Sequence, residues 1–70
     1  MKITDPSSAR RFIEEWRPAP ITSQLKNLRL ARETLELDQM YYEQKGNSGG
    51  VARCAVCLEI LREREAELQG

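Results

Sequence analysis

Apolar side chains recur along this chain at intervals of three and four residues, and no segment alternates with period two. That period predicts helices and no strands. Ala9, Phe12, Ile13 and Trp16 make the first run. Asp5 suits the cap before it, and Pro6 suits the first turn because its missing N–H would be unpaired there anyway. Arg10 with Glu14 and Arg11 with Glu15 fall four apart on the other side, where they can pair weakly. Pro18 and Pro20 close the helix, which spans about residues 6–16.

A second helix is expected over about residues 22–45, capped by Thr22 or Ser23, with no Pro or Gly inside. It carries two apolar stripes. Ile21, Leu25, Leu28, Ala31, Leu35 and Tyr42 form one. Leu30, Thr34, Leu37 and Tyr41 form the other, on nearly the opposite side. A helix with two such stripes needs two neighbours. Residues 46–50 are the only flexible stretch: Gly46 suits the left-handed end of the second helix, and Ser48 suits the cap of the third. The third helix is expected over about residues 50–68. Val51, Cys54, Cys57, Leu58, Leu61 and Leu68 form its main face, and Val56 and Ile60 extend it sideways. Its polar end, residues 62–67, is expected to fray.

The reading is an all-α single domain over residues 1–70: a short N-terminal helix followed by a long antiparallel helical hairpin. The first helix is expected to cover one stripe of the second near its start. It is too short to reach Tyr41. Leu30, Thr34, Leu37 and Tyr41, with Val56 and Ile60, are therefore left over as an oligomer or partner interface, and the hairpin is expected to dimerise into a helical bundle. In shape alone this resembles small plasmid-encoded RNA-binding helical hairpins that dimerise into four-helix bundles. The likeness carries no motif, so no functional residue transfers from it.

Composition narrows the options. The chain has 70 residues, 11 basic and 11 acidic side chains, two Cys and no His. So short a chain buries little core without a staple, a partner or very regular packing. Zero net charge argues against bulk binding to nucleic acid or membrane. No apolar run approaches the roughly 20 residues of a membrane span, and the start of the chain lacks the apolar core of a signal peptide. A complete, free-standing cytoplasmic protein is expected. Without His, the commonest general base and metal ligand is missing. The carboxylates fall on polar faces and offer no acid–base pair. The chain is read as non-enzymatic, with no cofactor.

Three features invite chemistry. Cys54 and Cys57 make a Cys-x-x-Cys pair near a helix start, where the dipole favours thiolate. A thioredoxin-like site expects a preceding strand, and zinc needs about four ligands, which only a dimer sharing Cys54 and Cys57 would supply. The simpler reading is core packing, because both thiols share the apolar face of Leu58 and Leu61. Residues 46–50 lead into a helix and could hold an anion, but no Lys-Ser/Thr follows, and a plain turn is the simpler reading. Finally, residues 1–32 hold seven basic and three acidic side chains, and the remainder mirrors them. Arg10, Arg11, Arg17, Lys26 and Arg29 could contact nucleic acid or phosphate. Alternatively, the basic start of the second helix and the acidic end of the third neutralise each other. Trp16 is read as the plug that docks the first helix on the hairpin.

The functional expectation is a small homo-oligomeric interaction protein that binds and modulates another protein, as an inhibitor or adaptor of phage or plasmid type. The alternative is a nucleic-acid-binding hairpin using the basic N-terminal half. A zinc- or disulfide-bridged dimer through Cys54 and Cys57 is the weaker alternative.

Overall fold

The computed structural model of the protein describes residues 2–70; Met1 lies outside the described residues. The chain is all-helical. Three helices follow in order: α1 (Pro6–Trp16), α2 (Ile21–Gln44) and α3 (Ser48–Gln69). Among the described residues there is no strand, and no helix is long and apolar enough to cross a membrane. The molecule measures 39 × 19 × 18 Å. Its long axis matches the roughly 36 Å that α2 spans at about 1.5 Å per residue.

Each helix boundary has a local cause. The Asp5 carboxylate accepts the Ser8 N–H at 2.7 Å. The Ser8 hydroxyl accepts the backbone N–H of Asp5 at 3.1 Å in return, so two orphan donors of α1 are satisfied reciprocally. Between α1 and α2 the capping expectation fails. Pro20 sits at the cap position with extended geometry, φ −56° and ψ 151°, and no side chain caps the helix. Proline cannot donate and holds its φ near the helical value, so α2 starts one residue early and leaves Thr22 and Ser23 exposed in the first turn. Gln24 does the work at this corner. Its carboxamide nitrogen donates to the carbonyls of Arg17 (3.2 Å) and Ala19 (2.8 Å).

At the other end of α2, Gly46 takes φ +71°. The Gly46 N–H donates to the Glu43 carbonyl and the Asn47 N–H to the Tyr42 carbonyl. This is the Schellman pattern, which needs the left-handed residue that glycine supplies. Asn47, rather than Ser48, then caps α3 by accepting the Gly50 N–H at 2.9 Å. Gly49 and Gly50 therefore belong to the helix and not to the turn. Gly50 is needed for closeness. A Cβ there would lie 2.6 Å from the Tyr42 ring.

The core joins Leu28, Ala31 and Leu35 of α2 to Cys54, Leu58 and Leu61 of α3. The pairs between these helices join the start of α2 to the end of α3 and the reverse. Arg64 donates to the Gln24 carboxamide oxygen at 3.1 Å, Arg32 meets Glu65 at 3.5 Å, and Gln39 donates to the Val51 carbonyl at 3.5 Å. The polar end of α3, expected to fray, is held by these contacts, and α3 continues to Gln69. Ile21, expected in the core, is exposed; Gln24 occupies the inward position at that end.

The first helix takes a different seat from the one expected. It packs mainly on α3 rather than on α2. Ala9 and Ile13 are buried. Phe12 and Trp16 pack against the core from its edge, with ring centroids 5.9 Å apart. The leading segment also contributes. Ile3 is buried and lines a crevice with Leu35, Cys54 and Cys57. A lone Ile before the first helix start carries no periodic signal.

Candidate functional site

The second stripe of α2 remains uncovered. Leu30, Leu37 and Tyr41 are 46%, 67% and 56% exposed, against 1% for Leu28 on the inner face of the same helix. Met40, outside the expected stripe, is 55% exposed beside them. Thr34 is also exposed, and its hydroxyl donates back to the Leu30 carbonyl at 3.0 Å. That bond satisfies the hydroxyl's donor within its own helix. Tyr41 is held by neighbours on its own helix. The Tyr42 ring meets it edge-on at 5.7 Å, and the Lys45 ammonium lies 5.7 Å from its centroid.

The six residues expected as an interface divide between two helices. Leu30, Thr34, Leu37 and Tyr41 share one face of α2. Val56 is exposed on α3. Ile60 is half-buried and packs on the core. With Ile13 it lines an open groove of about 720 Å³ between α1 and α3, edged by Arg10, Arg17 and Glu63. Seating α1 on α3 has drawn Ile60 into the molecule's own packing.

Of the five basic residues, Arg10 and Arg17 edge the α1–α3 groove together, and the other three lie elsewhere on α1 and α2. Arg17 is paired with Glu14 at 2.7 Å, and Arg29 lies 4.0 Å from Glu33. The Arg11 guanidinium lies 5.3 Å from the Phe12 ring centroid. Arg10 lines the α1–α3 groove, and Lys26 is exposed on α2. In place of the expected Arg10–Glu14 pair, Glu14 meets Arg17, which follows α1 and lies three residues on; Arg11 turns to the Phe12 ring rather than to Glu15.

Cys54 and Cys57 are free and buried. Burial pushes both thiols above the ordinary cysteine value, and the nearby Asp38 carboxylate adds to the effect at Cys54. This is the opposite of an activated thiolate. Among the described residues no three His, Cys, Asp or Glu side chains come together to hold a metal. The turn before α3 has committed part of its backbone: the N–H groups of Gly50 and Val51 go to the Asn47 side chain and carbonyl.

No family model matches this chain, and neither a curated protein nor a solved structure matches it. Its geometry therefore carries the functional argument. The uncovered face of α2 presents three large apolar side chains, with Thr34 among them. Such a surface is suited to association.

Proposed function

We propose that the protein is a non-enzymatic interaction module of the cytoplasm: an antiparallel helical hairpin, braced by a short N-terminal helix, that self-associates and binds and modulates another protein as an inhibitor or adaptor. The observation that carries this reading is the outer face of α2, where Leu30, Leu37 and Tyr41 stand exposed on a helix whose inner face is already packed. A 70-residue chain gains stability when a second copy covers such a face.

Native mass spectrometry of the purified protein tests the reading. The expected result is a dimer or higher oligomer without added mass. Leu30→Glu and Leu37→Glu should each shift it to monomer and abolish capture of a protein partner. Oligomer and captured partners unchanged in both variants would remove this interface. Co-purifying RNA, with affinity falling steeply as salt rises, would instead favour the nucleic-acid reading.

A further inference from the structure

The segment ahead of α1 is buried but lightly held. Ile3 is 7% exposed although it lies outside every helix. Among the described residues none shares a hydrogen bond with Lys2 or Ile3. The first tie along the chain is the Thr4 N–H, which donates to the Ser8 hydroxyl at 3.0 Å. Nor is the seat of Ile3 tightly filled. It borders a crevice of about 190 Å³ that reaches Cys54 and Cys57, and another of about 140 Å³ that reaches Ala31 and Thr34. Ile3 is therefore a plug between α2 and α3, kept in place by the burial of its own side chain.

The plug bears on the two thiols. Lys2, Ile3 and Thr4 are the only residues lining the first crevice that lie outside a helix; the rest, Cys54 and Cys57 among them, belong to α2 and α3. A segment with few buried contacts and no backbone ladder opens at a lower free energy than the helices it rests on. The capping box of Asp5 and Ser8 follows this segment, so α1 keeps its start when the segment moves.

We propose that residues 2–4 are a strap that lifts without unfolding the helices, and that Cys54 and Cys57 beneath it are a gated modification site for small-molecule disulfides. In the open state a thiol gives its proton to water and its sulfur attacks one sulfur of the disulfide. The S–S bond breaks, a mixed disulfide forms on the cysteine, and the other half leaves as a thiolate. With the strap closed, neither sulfur is reached.

Dithiobis(nitrobenzoate), a disulfide whose released thiolate is coloured, reads the rate on the full chain. At low urea the rate should be nearly independent of urea, because lifting three residues exposes little surface, and it should climb steeply only where the helices unfold. Ile3→Ala should raise the low-urea rate at least about tenfold. Leu28→Ala weakens the core but lines neither crevice, and should leave the low-urea rate within about twofold. A rate in the unmodified protein that climbs from zero urea with the slope of global unfolding overturns the strap, and this test does not depend on any variant folding. Equal acceleration by Leu28→Ala and Ile3→Ala, or none by Ile3→Ala at unchanged helicity, overturns it as well.

Discussion

The two long faces of α2 are built from similar residues and meet opposite fates. The inner face uses Leu28, Ala31 and Leu35, all buried; the outer face uses Leu30, Leu37 and Tyr41, all exposed. Hydrophobicity does not separate them. What does is the neighbour each finds. Leu58 and Leu61 of α3 close the inner face, and α1, which pattern alone could have sent to the outer face, sits on α3 instead. An apolar stripe in a sequence thus reports a need for cover, and topology decides whether the same chain meets it.

Truncation separates the faces most sharply. Leu28→Ala leaves a cavity where no solvent reached, and should cost about 2–5 kcal/mol of unfolding free energy. Leu37→Ala should change the stability of the monomer by less than about 0.5 kcal/mol, while weakening self-association. Urea titrations at a protein concentration well below dimerisation check both; equal losses would erase the distinction. Gly50→Ala tests the end of the inner face, where the Tyr42 ring lies against bare backbone. Overpacking there should cost about 1–3 kcal/mol, and a Tyr42→Ala background should remove most of that cost in a double-mutant cycle.

These residues also show what the sequence could disclose. The all-helical class and the two stripes of α2 are written in the three- and four-residue spacing, and Gly46 marks its left-handed turn by identity alone. The seat of α1 is not written there, because the apolar stripe of Phe12, Ile13 and Trp16 asks for cover without naming the helix that gives it. Gly50 reads as a loop glycine until Tyr42 is found against it. Ile3 and Gln24 are single residues whose burial depends wholly on tertiary neighbours. Of the candidate site, the four α2 residues are legible as a surplus stripe. Ile60 is not legible as a packing residue, because its partner Ile13 arrives only when α1 docks.

Gln24 marks the start of the inner face. It joins the corner carbonyls of Arg17 and Ala19 to the Arg64 guanidinium. Gln24→Leu should cost about 1–3 kcal/mol, the penalty for leaving these partners unsatisfied, and should speed amide exchange at the α1–α2 corner.

The smallest effect is one of pH. Burial raises the Cys54 and Cys57 thiols above their ordinary value. The unfolded chain therefore releases these protons first as pH rises. The stability they contribute is fully present below the ordinary thiol value, and is lost as pH climbs through the raised values. Urea midpoints should fall in the alkaline range, and the fall should shrink in Cys54→Ala/Cys57→Ala. At the acid end the sign reverses. Hydrogen bonds from the backbone and side chain of Ser8 hold the Asp5 carboxyl below its ordinary value. Its contribution is present above that ordinary value, is lost as pH falls through the lowered one, and should vanish in Asp5→Ala.

Sedimentation equilibrium of the unmodified protein beside Leu37→Glu, with helicity followed on the same samples, tests the central claim most directly. The outer face of α2 as a self-association surface predicts a concentration-dependent dimer for the first, and a folded monomer of unchanged helicity for the second. A monomer in both, or the same dimer in both, would contradict it.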